Sequence, residues 1–285
     1  MTKRLRAAAA LLSALLLSAC AAPAAESGGE ESADAAALEI RFFDAGAADA
    51  ILLTTADSAV LIDTGEKGFG KTILAYLADK GVEKLDALIV THFDKDHVGG
   101  AAKVINGIPV DTVLQSNCPK DSEEYEKYVK ALEAAQIEAR TVREAVAFTL
   151  GGVRYEIDPP RRESYAEDAS NNSSLIVTVR NGAQRFLFAG DAQTERLREY
   201  LAASPQHCEV LKVPHHGRAE PALDDLLQAV TPAYAVITSS AEEPEDATVL
   251  AQLERSGARV LRTRDGAVTV VSDGTALEVT QEAAQ

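Results

Sequence analysis

Four of the five histidines in this sequence stand in two tight pairs, His92 with His97 and His215 with His216. The first pair lies in Thr91 to Gly100, THFDKDHVGG, where His92, Asp94, Asp96 and His97 share one short polar loop behind the apolar run Leu85 to Val90. Carboxylates crowded this closely repel one another unless cations sit between them, and binding a metal relieves that repulsion. Gly99 and Gly100 are expected to let the backbone turn tightly at the start of the next helix. Asp191 follows the apolar run Arg185 to Ala189, and His215-His216 follow Cys208 to Val213. Each set of polar groups therefore sits at the end of a strand-like segment.

For such groups to meet, the strands must end side by side. Leu38 to Asp44, Ala50 to Thr55 and Ala59 to Asp63 read as successive strands, Phe69 to Asp79 as a helix stopped at Gly81, and Leu85 to Val90 as a buried strand. Asp96 to Asn106 reads as a helix, Val110 to Gln115 as a strand and Ser122 to Gln136 as an amphipathic helix. Strands are expected near Ala145 to Leu150, Val153 to Ile157, Leu175 to Val179 and Arg185 to Ala189. The last third alternates: helix Thr194 to Ala202, strand Cys208 to Val213, helix Pro221 to Ala229, strand Ala233 to Thr238 and helix Ala247 to Ser256. Strands Arg259 to Arg262, Ala267 to Val271 and Ala276 to Val279 close it. Two strand-rich halves with their own helices predict an α/β (α+β) chain with two sheets face to face and helices outside. Taken singly, each block has a plainer reading. Asp94 or Asp96 would cap a helix, Asp191 would cap the helix beginning near Gln193, and Asn171 to Ser174 would form a turn. His215-His216 alone would be a surface pair, and His207 is read as one more surface residue. Their order at successive strand ends favours a metal site instead.

The segment His92 to Gly100 resembles the HxHxDH signature of the metallo-β-lactamase superfamily, with Asp94 where the second His normally stands. The variant HxDxDHxGG resembles the soluble domain of the ComEC/Rec2 competence proteins. Phe43-Asp44, Ala50 to Leu53, Leu61 to Gly65, Asn171 to Leu175, Phe188 to Asp191, Val213 to Gly217 and Arg262 to Val268 resemble further blocks of that branch, in its order, from about Leu38 to Asp273. The resemblance implies a four-layer αββα sandwich and a metal-dependent hydrolase. It implies two divalent ions, zinc or manganese, roughly 3.5 to 4 Å apart, which acidify a shared water to hydroxide and stabilise negative charge on the attacked centre. Replacing an imidazole by Asp94 hardens the site and brings manganese into play beside zinc. His92, Asp94 and either His215 or His216 are the expected ligands of one ion, Asp96 and His97 of the other, with Asp191 between them. Asp63 is expected to support the loop from beneath. Asp96 is also assigned to catalysis, with Asn172 and Ser173 orienting substrate oxygens or water by hydrogen bonds.

Three blocks depart from the pattern: Ala45 to Asp49 in place of VGQGD, Arg218 after the HHG, and Pro244-Glu245-Asp246 in place of a late HPH. The acidic run Glu242 to Asp246 is unfavourable for a polyanion, and Arg218 offsets it only locally. The chain carries 28 basic and 44 acidic residues for a net charge of −16, so composition offers no basic field for nucleic acid. Lys3, Arg4 and Arg6 ahead of Ala7 to Leu17 read as a signal peptide over residues 1–19, too short to stay in a bilayer as a helix. Leu17 to Cys20 resembles a bacterial lipobox, which implies cleavage before Cys20 and lipidation of its sulfur. Residues 20–37 are Ala, Glu, Ser and Gly rich and read as a disordered tether, leaving residues 38–280 as the folded domain. Cys118 and Cys208 remain, either paired or as separate thiols. The expected protein is extracytoplasmic and lipid-anchored to a bacterial membrane, with membrane lipid at Cys20 and a phosphodiester as its partners. Whether nucleic acid is such a phosphodiester stays open, and no protein partner is indicated. A lactonase or thioesterase of the same fold, or a binding protein with a degenerate site, are the alternative readings.

Overall fold

The computed structural model describes residues 35–284. The expected signal peptide, Cys20 and the tether as far as residue 34 lie outside the described residues. The first half contains β1 (Leu38–Phe42), β2 (Ile51–Thr54), β3 (Ala59–Ile62), α1 (Gly70–Asp79), β4 (Ala87–Val90), α2 (Lys95–Val98), α3 (Ala101–Ile105), β5 (Val113–Gln115), α4 (Glu123–Ala135) and β6 (Arg140–Thr141). The second contains β7 (Val146–Leu150), β8 (Val153–Asp158), α5 (Ala169–Asn172), β9 (Ile176–Asn181), β10 (Gln184–Phe188), α6 (Thr194–Leu201) and β11 (Val210–Lys212). After these come α7 (Leu223–Val230), β12 (Tyr234–Ile237), α8 (Ala247–Ser256), β13 (Arg259–Arg262), β14 (Val268–Ser272) and β15 (Leu277–Gln281). Among the described residues no helix is long and apolar enough to cross a membrane.

Two sheets form, in the strand orders β15-β14-β1-β2-β3-β4-β5-β6 and β13-β12-β11-β10-β9-β8-β7. Their layering follows from side-chain alternation. Ile51, Leu53, Val60, Ile62 and Ile89 point into one core with Val177, Val179, Phe186 and Phe188 of the other sheet. The intervening Leu52, Leu61, Leu88 and Val90 pack instead on Ile73, Leu77, Val104 and Tyr128 of α1, α3 and α4. On the far side, Leu187, Leu211 and Ile237 pack on Leu197, Leu226 and Leu253 of α6, α7 and α8. Strands buried on both faces become the near-continuous apolar runs seen in the sequence, and the result is an αββα sandwich. Ala36 belongs to this body too, since its carbonyl accepts from Asn181 Nδ2 at 2.8 Å. The tether expected up to residue 37 therefore ends earlier.

Strands β3, β4, β5 and β6 run parallel, as do β10, β11, β12 and β13. Asp63, Thr91, Asp191, Pro214 and Thr238 all lie just beyond the C-terminal ends of such strands. Parallel strands align those ends, so the polar segments collect at one rim of the sandwich.

The helix expected over Asp96 to Asn106 is two short helices, broken at Gly99 and Gly100. Both glycines have φ near helical values, −59° and −86°, so the expected tight turn is not their role. A Cβ on Gly99 would sit 2.5 Å from the Lys67 amide nitrogen, and one on Gly100 would collide with the Thr64 carbonyl. Close backbone approach therefore requires them. Cys118 and Cys208 are free thiols, the second buried.

Candidate metal centre

Asp96, His97, Asp191 and His216 offer ligand atoms that all lie within 4.8 Å of one another. Helix α2, following β4, supplies the first two, the turn after β10 the third, and the turn after β11 the fourth. His97 Nε2 is 3.2 Å from Asp191 Oδ1 and 3.3 Å from His216 Nε2. His216 Nε2 is 3.1 Å from Asp191 Oδ2 and 3.2 Å from Asp96 Oδ2.

Each imidazole is aimed by a bond to its other nitrogen. His97 Nδ1 donates to Asp63 Oδ2 at 2.8 Å, and Asp63 also accepts from the Thr91 amide at 2.8 Å and the Thr91 hydroxyl at 2.6 Å. Asp63 thus lies beneath the loop. His216 Nδ1 donates to the Thr238 carbonyl at 2.9 Å, while the Thr238 hydroxyl donates to Asp49 Oδ1 at 2.7 Å. Such outer bonds fix which nitrogen is left to face a metal.

The backbone is strained where it serves this geometry. Asp63, His215 and His216 have φ of 55°, 50° and 51°. Non-glycine residues in this region cost on the order of 1–3 kcal/mol each and persist where surrounding structure enforces them. At Pro214–Gly217 a short 3₁₀ segment turns the two neighbouring rings apart. His216 enters the cluster, whereas His215 lies 3.4 Å from Glu220 Oε1 and 3.4 Å from Asn171 Nδ2. His216 also joins Asp96 and His97, which regroups the ligand sets expected from the sequence. His92 and Asp94 stand to one side, with His92 Nε2 3.9 Å from Asp94 Oδ1.

Asn172 and Ser173, expected to orient substrate or water, make their hydrogen bonds to neighbouring backbone. Both are buried. Asn172 Nδ2 donates to the Glu167 carbonyl at 2.9 Å, and its Oδ1 accepts from the Arg196 amide at 3.1 Å, satisfying the first turn of α6. Ser173 Oγ donates to the Ser170 carbonyl at 2.6 Å. Ser174 is the residue of this block that reaches the cluster: its Oγ accepts from the Asp191 amide at 3.1 Å and lies 3.4 Å from His92 Nδ1. Asp191 is not a helix cap, because α6 begins after Gln193 and Asp191 Oδ1 makes no hydrogen bond among the described residues.

Two further residues were not singled out by sequence. Lys212, fully buried in β11, places Nζ 2.6 Å from Asp49 Oδ2, 3.1 Å from the Gly190 carbonyl and 3.5 Å from Asp191 Oδ1. A lysine inside the apolar run VLKV, leading straight into His215-His216, was the available signal. Asp49 is the surviving acid of the altered Ala45 to Asp49 block.

Burial alone would hold His216 below its ordinary pKa, but the Asp191 carboxylate, assisted by Asp96, overcomes burial and pushes it up to about 9. His97 is likewise raised against burial, by Asp191 and Asp63. Burial opposes ionisation of Asp191, yet His216, His97 and Lys212 hold it well below the usual carboxylate range. His92 is lowered by burial and then by the His97 charge, which disfavours its protonated form. Its Nε2 is buried without a hydrogen-bond partner among the described residues, as is Asp191 Oδ1. Buried acceptors left open in a cluster of carboxylates and imidazoles fit a divalent cation. Raised histidine pKa values imply that ion binding displaces protons. Adding manganese or zinc to metal-free protein at pH 7 in weak buffer is expected to acidify the solution. Apparent affinity should rise with pH up to about 9. A pH-independent affinity would contradict protonated histidines in the empty cluster.

With two opposed sheets, helices outside and an acid-imidazole cluster at the rim, the chain belongs to the metallo-beta-lactamase superfamily, whose family model matches residues 43–239. Within it the chain is ComEC/Rec2-like. It is 30% identical over 201 residues to ComE operon protein 3 of Bacillus subtilis, covering 68% of this chain and 25% of that protein. It is 26% identical over 211 residues to Recombination protein 2 of Haemophilus influenzae, covering 72% and 25%. The chain thus spans about a quarter of the length of these relatives. The metallo-beta-lactamase fold protein YhfI of Bacillus subtilis superposes with a TM-score of 0.53 at 10% identity, covering 80% of this chain and 96% of that one. That likeness is one of fold.

Proposed function

We propose that the chain is a metal-dependent hydrolase of phosphodiesters, extracytoplasmic and held to a bacterial membrane by lipid on Cys20. The convergence of Asp96, His97, Asp191 and His216 beside two open buried acceptors carries this reading. Zinc or manganese bound there supplies an acidified water and positive charge for the pentacovalent transition state. The chain's own residues do the positioning. Asp63 and Thr238 aim His97 and His216, Ser174 holds the Asp191 backbone, and Asp191 stands between the two rings, where it would be the carboxylate shared by two bound ions. Asp96, at the open edge and bonded to His216, is the carboxylate placed to orient the attacking water.

Size of substrate follows from charge. Arg218, the one local offset expected to the acidic run, is paired with Glu243 at 3.2 Å. Glu245 is buried, accepting from Arg264 Nη2 at 2.8 Å and from Ser239 Oγ at 2.7 Å. Both arrangements consume cationic side chains that a long polyanion would need, so a small phosphodiester is favoured over a nucleic acid. Side-by-side assay of an aryl phosphodiester and an aliphatic lactone with manganese or zinc tests this. Faster phosphodiester turnover is expected. Lactone turnover alone would transfer the assignment to carbonyl esters.

A further inference from the structure

His92 and Asp94 are the two loop side chains outside the four-residue cluster, and their surroundings differ sharply. His92 Nε2 is buried and unpartnered among the described residues. Asp94 Oδ1, 3.9 Å from it, is already bonded twice, by Lys120 Nζ at 2.5 Å and by the Ser170 hydroxyl. Lys120 comes from the segment between β5 and α4 and is 38% exposed, against 23% for Asp94, so the pair sits at the mouth of the site.

We propose that Lys120 is a built-in counter-cation for Asp94 that competes with a second divalent ion, making the two ion-binding steps unequal. The proposal rests on the metal-dependent reading above. An ammonium has only donors, so it holds a carboxylate oxygen through the lone pairs a metal would use. Two cations a few ångströms apart also repel, whichever carboxylate oxygen the ion takes. The first ion does not compete with Lys120, because the only hydrogen bond or ion pair of Lys120 among the described residues is to Asp94, and not to Asp96, His97, Asp191 or His216. The second ion, bound through His92 and Asp94 with Asp191 shared, must first move Lys120 away. Lys120 is then free at the mouth of the site.

Equilibrium dialysis of the metal-free full chain against graded manganese and zinc, with elemental analysis, tests this on wild type, Lys120→Met and Lys120→Arg. The expected wild-type result is one tight step and one at least about tenfold weaker. Lys120→Met should tighten the second step by about tenfold and leave the first unchanged, while Lys120→Arg should behave as wild type. Lys120→Gln serves in place of the methionine variant should circular dichroism show the latter unfolded. Two equal steps in wild type, or a second step insensitive to loss of the charge, would overturn the proposal while leaving the metal-dependent reading intact. If none of the proteins takes up an ion, both fall.

Discussion

Asp191→Asn is expected to lower phosphodiester hydrolysis by about 10³-fold, or ~4 kcal/mol of barrier. Asn keeps the size of Asp191 but replaces one carboxylate oxygen with a donor and removes the charge. Each oxygen faces an imidazole: Oδ1 lies 3.2 Å from His97 Nε2, without a hydrogen bond among the described residues, and Oδ2 lies 3.1 Å from His216 Nε2, in a buried setting. The amide therefore leaves one ring facing a group that cannot accept, and any ion there loses its shared anion. A second readout separates this from simple misfolding. Since Asp191 is the largest charge raising His97 and His216, both imidazoles should titrate lower in metal-free Asp191→Asn, as followed by NMR. Activity within tenfold of wild type, at equal metal loading, would remove Asp191 from the centre.

The largest effect on stability is expected at Lys212. Removing one member of a buried ion pair leaves an uncompensated charge and costs about 3–5 kcal/mol. Lys212 and Asp49 are such a pair, at 2.6 Å with both side chains buried. Burial depresses the lysine pKa and raises that of the acid, yet each charge overrides burial for the other. Lys212→Met should therefore shift the denaturant midpoint of metal-free protein strongly downward. Combining it with Asp49→Asn should restore much of the loss, since the stranded carboxylate is gone. A loss under about 1 kcal/mol in the single variant would show that water or another group already compensates Asp49.

What could be read from the sequence depended on how local the cause was. The strands were legible because most are buried on both faces and so form apolar runs, as at Ala87–Val90 and Tyr234–Ile237. Helix α8 matched its expected span, since it runs between Asp246 and a left-handed Gly257. The His92 to His97 loop was legible because its donors are consecutive. Which of His215 and His216 turns inward was not, because left-handed backbone at both residues decides it. The local partners of Asn172 and Ser173 were not legible, because the same side chains serve equally well to cap α6 and to fold a turn. Lys212 with Asp49, and Lys120 with Asp94, are contacts between distant strand ends and loops. No local pattern encodes them.

Anomalous diffraction from crystals loaded with manganese or zinc tests the central claim most directly. The account predicts a strong peak ligated by Asp96, His97, Asp191 and His216, with His215 remaining on Glu220. Loaded crystals with no peak at those four side chains, or with the ion on His215 instead of His216, would contradict it.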